Sequence, residues 1–289
     1  MPSPQTAITS AEIARLQDIS GRMRVAIIEM LTKAGSGHPG GSLSAIDILV
    51  ALYFARMRHD PKRPDWLYRD RLVLSKGHGV PALYAVMAEA GYFPHSELAT
   101  LRELGSRLQG HPVNSALPGI EACTGSLGQG LSVAQGMALA SKMDDSRFHV
   151  FCVIGDGESQ EGQIWEAVMS APKFELDTLT VFLDYNRGQI DGPVDQVMDV
   201  EPIEDKWRAF RWNVLRVDGH DFEQILGAID EARATRGRPT IVVADTIKGK
   251  GVSFMEHQIA WHGAAPNKDQ AAKALEELRV LNEMTSGRR

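Results

Sequence analysis

Apolar and polar positions along this chain follow two rhythms that take turns. Ile13, Leu16, Met23, Ile27, Met30 and Leu31 recur at helical spacing, and Thr9 with Glu12 three positions on supplies an amino-terminal capping box. A long helix is predicted there, closed by the glycine-rich stretch 35–41, which reads either as a helix-termination loop or as small residues that let the backbone approach a ligand while His38 points into a site. Residues 43–54 predict an apolar helix, 60–65 a polar loop, 71–74 a strand, and 81–90 a small apolar helix stopped by Gly91. Residues 110–130 are dense in glycine and predict an irregular segment, with a helix over 131–142 behind it. The run 149–154 is apolar without alternation, which fits a strand covered on both faces of a parallel sheet. Strands are also predicted over 179–184, 212–217 and 240–244, and helices from Ser159 or Gln160 and over 222–233. Residues 188–205 read as irregular, with order resuming at Trp207. A short amphipathic helix from Lys268 carries Leu275, Leu278 and Leu281. This alternation predicts an α/β fold, a doubly wound, mainly parallel sheet with helices on both faces. One domain is expected to span residues 1–289.

Composition narrows the functional classes. A formal net charge of −6 argues against a general nucleic-acid role, while leaving room for a local basic pocket around a phosphorylated ligand. Cys123 falls in a loop and Cys152 inside the buried run, so no disulfide is expected and a reducing compartment is the default. No basic segment leads into an apolar one near Met1, and no apolar run reaches membrane-spanning length. A soluble, cytoplasmic protein without a membrane partner is the expectation.

The candidate chemistry sits where strands are predicted to end. Gly155-Asp156-Gly157 follows the buried run, and Asp184-Tyr185-Asn186 closes the next strand about thirty residues on, roughly one strand-helix-strand unit. Open α/β sheets place ligands at such carboxyl ends, and a carboxylate with an amide carbonyl suits a magnesium ion that also holds phosphates. Gly-Asp-Gly taken alone reads as a turn, and it is the combination with the buried strand and the later Asn186 that points to a ligand. Gly35-Ser36-Gly37-His38-Pro39-Gly40 matches the dinucleotide pattern in spacing, yet a helix rather than a strand precedes it, so that reading is rejected. His38, His78, His111 and His262 all lie beside glycine or proline in predicted loops, and none shows a zinc spacing. As a set they could donate hydrogen bonds to phosphate and move protons on sugar hydroxyls. His59, His95, His149 and His257 read as structural or surface residues, and His220 is ambiguous.

The ordered set Ser36-Gly37-His38-Pro39-Gly40, Ser75-Lys76-Gly77-His78, Gly110-His111-Pro112, Thr124 to Gly130, Gly155-Asp156-Gly157, Asp184-Tyr185-Asn186 and His262-Gly263-Ala264 resembles the amino-terminal module of transketolase. The resemblance covers nearly the whole chain. It implies a subunit of a split, two-chain transketolase using thiamin diphosphate and Mg2+ to move a two-carbon ketol unit from a ketose (phosphate) to an aldose (phosphate). Asp156, Asn186 and the Gly188 carbonyl would hold the metal. His78, His262 and the Gly157 N–H would reach the diphosphate, Asn186 and the Gly125 carbonyl would also face the cofactor, and Leu127 would lie beneath its rings. His38, His111 and His262 would face the substrate hydroxyls, with the proton transfer assigned to His262 and His38 assisting. Glu161 and Glu166 match acidic residues near the subunit interface. Glycines at 41 and 79 imply a roomier pocket wall. The family's pyrimidine-binding and carboxyl-terminal modules find no counterpart, which implies a second chain in an α2β2 assembly. The alternatives are the α subunit of a thiamin-dependent 2-oxo acid dehydrogenase, a deoxyxylulose phosphate synthase-like enzyme and a noncatalytic thiamin-binding regulatory subunit.

Overall fold

The computed structural model of the chain describes residues 8–285. Helix α1 (Ser10–Ala34) begins where Thr9 Oγ1 accepts the Glu12 N–H at 3.1 Å. It ends on Gly35, whose left-handed backbone (φ 64°) lets its N–H return to the Leu31 carbonyl at 3.0 Å. Helix α2 (Pro39–Ala51) starts only four residues later. The termination loop is therefore shorter than predicted, because Pro39 has the fixed φ and missing N–H that suit a first helical position, so Gly40 and Gly41 are helical. His38 becomes the residue that caps α2. The helix closes in one wide turn, Leu52–Arg56.

The remaining elements are β1 (Arg71–Leu74), α3 (Val80–Glu89), α4 (Gln129–Met143), β2 (Val150–Gly155), α5 (Gly162–Lys173), β3 (Leu179–Tyr185), β4 (Gly188–Gln189) and β5 (Gly192–Pro193). After them come α6 (Val194–Val197), α7 (Ile203–Ala209), β6 (Asn213–Asp218), α8 (Phe222–Ala234), β7 (Thr240–Asp245) and α9 (Lys268–Thr285). Five strands form one parallel sheet in the order β1-β2-β3-β7-β6. Alternation sorts its residues to two cores. Phe151, Val153, Phe182 and Val242 face the side covered by α1, α2, α3 and α8, while Cys152, Ile154, Val181 and Ile241 face α4, α5 and α7.

Three expectations change. The stretch 188–205 is not irregular throughout: β4 and β5 pair antiparallel, and α6 and the start of α7 follow. A tight 3-10 turn at Gly157–Gln160 comes before α5, so that helix opens at Gly162 rather than at Ser159 or Gln160. The last helix is 18 residues long rather than short; Leu278 is buried in the core and Leu275 partly buried, while Leu281 is exposed. Among the described residues no helix is long and apolar enough to cross a membrane.

Candidate active site

The carboxyl ends of β1, β2 and β3 open into one cavity of about 320 Å³. His38, His78, His111, Gly125, Leu127, Asp156, Gly157, Asn186, Gly188 and His262 all line it, so every residue singled out in the sequence for binding or chemistry reaches the same space. Strand ends supply Asp156 and Asn186, the turn after β1 supplies His78, the start of α2 supplies His38, and two loops distant in sequence supply His111 and His262. At Gly77 the turn is so tight that a Cβ would stand 2.0 Å from the Thr124 carbonyl oxygen, which is why a glycine precedes His78. The four imidazoles form a group: His38 lies 5.3 Å from His78, 6.4 Å from His111 and 5.7 Å from His262 between ring centroids.

Two buried lysines, to which the sequence assigns no role, share this site. Lys76 Nζ pairs with Asp184 and donates to the Gly41 carbonyl at 2.9 Å; Lys248 Nζ donates to the Gly188 carbonyl at 3.1 Å. Both lysines sit beside glycine after a strand, and that position is the signal that could have found them. Burial, with Arg102, His111 and the two lysines nearby, pushes His38 down to about 4. Burial and Lys248 push His262 to about 3, and burial also lowers His78 and His111. The histidines are thus neutral bases near pH 7, not imidazoliums. Burial likewise lowers Lys248, to about 8, with the Lys76 charge adding to it.

The acidic side is equally ordered. Asp184, held below the usual carboxylate range by Lys76 against the cost of its burial, accepts from Ser44 Oγ at 2.7 Å and from Asn186 Nδ2 at 3.1 Å. Asp184 thereby fixes which end of the Asn186 amide faces Gly188, whose N–H donates to Asn186 Oδ1 at 3.1 Å. Asp156 accepts from the Gly157 N–H at 2.8 Å and from the Arg187 N–H, and burial followed by the Asp184 charge raises it to about 6. Glu158, also missed in the sequence, ties three loops together: its carboxylate accepts from Ser75 Oγ, from the Gly128 N–H at 2.9 Å and from the Gly155 N–H at 3.0 Å.

One expectation about the wall needs correction, and one expected donor already has a partner. Glycines 41 and 79 do not widen the pocket, because a Cβ at either would press within 3.2 Å of the Lys76 side chain; that lysine fills the space. The Gly157 N–H is engaged by Asp156, so a diphosphate oxygen would have to share that donor. Glu161 does line the cavity rim, and Glu166 lies on the exposed face of α5.

Residues 16–283 match the family model for the transketolase, thiamine diphosphate binding domain. The chain belongs to the transketolase family. It is 48% identical over 263 residues to the 6-deoxy-6-sulfo-D-fructose transketolase subunit of a Clostridium species, covering 91% of this chain and 96% of that protein. It is 42% identical over 267 residues to an apulose-4-phosphate transketolase subunit of Phocaeicola vulgatus, covering 92% and 94%. The crystal structure of transketolase from Campylobacter jejuni superimposes with a TM-score of 0.86 at 35% identity, covering 91% of this chain and 42% of that one. The chain thus spans less than half of that transketolase, yet nearly all of the two proteins named as subunits. It is a transketolase-type enzyme subunit, and neither the dehydrogenase nor the regulatory reading is favoured.

The residues present fit the cofactor of this family. His38 Nδ1 and His262 Nδ1 are buried without a hydrogen-bond partner at the cavity, so both have capacity for a polar ligand. The Asp156 carboxylate, the Asn186 amide oxygen and the Gly188 carbonyl, which also accepts from Lys248 Nζ, are hard oxygen groups at one cavity, which is the chemistry of a magnesium site. Among the described residues no three His, Cys, Asp or Glu side chains converge on an ion, so a metal here would take its remaining ligands from the diphosphate and water.

Proposed function

We propose that this chain is the diphosphate-binding subunit of a two-chain transketolase, and that it works with thiamin diphosphate and Mg2+. The observation that carries this reading is the convergence of four neutral imidazoles on a cavity whose floor combines Asp156 and Asn186 with two buried lysines. When bound, the cofactor supplies the electron sink that makes a ketose carbon–carbon bond breakable. The chain's own residues bind, orient and move protons. Asp156, Asn186 and the Gly188 carbonyl hold the metal, while His78, His262 and Lys248 face the diphosphate. The Gly125 carbonyl and Leu127 set the position of the rings. His262 Nδ1 or Nε2 takes the proton from the substrate hydroxyl beside the bond that breaks, with His38 sharing it, and His111 orients the first hydroxyl.

Neutral imidazoles suit that role, because only the unprotonated ring accepts a proton. The substrates are a ketose donor and an aldose acceptor carrying an anionic tail, the class to which a sulfo-sugar and a sugar phosphate both belong. The second chain contributes the pyrimidine-binding and carboxyl-terminal modules in an α2β2 assembly. Val133 (39%), Met143 (76%) and Met169 (63%) on α4 and α5 are exposed apolar side chains available to that chain.

Cofactor binding to the reconstituted assembly tests the reading. Asp156→Ala is expected to lose thiamin diphosphate and activity together. A scaffold subunit would keep full activity in that variant, and this outcome would overturn the assignment.

A further inference from the structure

Away from the cavity, a buried polar cluster holds the loop that presents Lys248. Asp47 sits in the middle of α2, nearly inaccessible, and Arg24 of α1 grips it with Nη1 at 3.1 Å and Nη2 at 2.6 Å. Ser20 Oγ donates to the same carboxylate. The remaining partner is His220, the histidine whose role the sequence left ambiguous: its Nδ1 stands 2.7 Å from Asp47 Oδ2. Its Nε2 accepts the backbone N–H of Ile247 at 2.9 Å. An imidazole that accepts at Nε2 must carry its proton on Nδ1, so the ring is fixed in one tautomer with both nitrogens used. Serine here contacts the aspartate and not the histidine, so the cluster is no hydrolytic triad.

What the cluster holds is the segment 247–250. Ile247 is pinned by His220, the Gly249 N–H donates to the Gly40 carbonyl at 3.0 Å, and the Lys250 carbonyl accepts from Arg24 Nε at 3.2 Å. Lys248 is the residue in between, and its side chain runs to the Gly188 carbonyl in the cavity. Gly40 and Asp47 belong to the helix that His38 caps. One buried carboxylate therefore joins the helix carrying His38 to the loop carrying Lys248.

We propose that His220, held by Asp47 and Arg24, is a positioning residue for the cofactor site: it fixes the Ile247 N–H and thereby the placement of Lys248. The inference rests on the reading that Lys248 faces the diphosphate. Its test uses the full chain, in the assembly that binds thiamin diphosphate with Mg2+, and three variants at position 220. His220→Ala and His220→Asn both lose the acceptor for Ile247, whereas the longer amide of His220→Gln can present one. Removing that contact is expected to weaken thiamin diphosphate by roughly tenfold or more in the Ala and Asn variants, with Gln within about threefold of wild type.

The affinities are compared at a temperature at which circular dichroism shows each variant folded. A merely structural role would lower the melting temperature in all three variants and leave the affinity of the folded proteins within twofold of wild type, and that result would overturn the proposal. Hydrogen exchange on the wild-type chain without cofactor gives a second test independent of variant folding. The Ile247 amide is expected to be protected at least a hundredfold over an open loop, and exchange as fast as an open loop would equally overturn the proposal. Wild-type assembly that bound no thiamin diphosphate would count against the functional reading, and the exchange measurement would still decide the role of His220.

Discussion

At the scale of single residues, the site is a set of bases kept neutral by their surroundings. His262→Ala removes the group assigned to the substrate proton, and its turnover in the reconstituted enzyme is expected to fall by about 100- to 10,000-fold, with cofactor affinity falling too. Full turnover in that variant would remove His262 from the mechanism. The lowered histidines also set a pH dependence of stability. His38 titrates at about 4 and His262 at about 3 in the folded chain, against about 6.5 for a free imidazole. Between those values the unfolded chain binds protons that the folded chain refuses, so stability falls as pH drops from 6.5 toward 4 and is unaffected by these groups above that range. Urea unfolding of wild type and His38→Asn/His262→Asn across this window isolates the effect. The wild type is expected to lose stability relative to the double variant, and parallel curves would contradict the assignment of neutral, buried rings.

The residues legible in the sequence were those at strand ends or beside glycine and proline in loops, where chemistry and irregular backbone coincide. Lys76 and Lys248 share that position beside glycine, and Glu158 follows Gly157, yet none was assigned a role, because lysine and glutamate ordinarily belong to solvent and it is the fold that buries these three.

At the scale of elements, β1, β2, β3 and β7 were legible as short runs buried on both faces, while β6, at the sheet edge, is only partly buried and was legible from its β-branched and apolar residues ahead of Asp218-Gly219. β1 falls on the predicted residues, and β2, β6 and β7 sit within one residue of their predicted spans. Sheet order was not legible: nothing local says that β7 lies between β3 and β6. The close turns depend on contacts across the chain as well. Glu158 is the clearest case, since one carboxylate satisfies donors that follow β1, end β2 and precede α4. Glu158→Ala leaves two buried backbone N–H groups and a hydroxyl without their acceptor, at about 1–3 kcal/mol each. A loss of about 3 kcal/mol or more in unfolding free energy is expected by denaturant titration; a loss below about 1 kcal/mol would show that these loops hold without it.

At the scale of the whole molecule, the proposed function makes this chain one wall of a site. It spans 42% of the C. jejuni transketolase and 96% of the Clostridium protein named as a subunit. The cavity carries the oxygen donors, lysines and histidines, while apolar side chains such as Ile190 (66% exposed) lie open at its rim and Met198 (61% exposed) nearby. A partner that covers this region would exclude water from the histidines and complete the cofactor's surroundings. The most direct measurement is therefore ketol transfer from a ketose phosphate to an aldose phosphate with thiamin diphosphate and Mg2+, using the purified chain first alone and then with its second chain. No turnover alone and turnover on mixing is the predicted result; turnover by this chain alone would contradict the account.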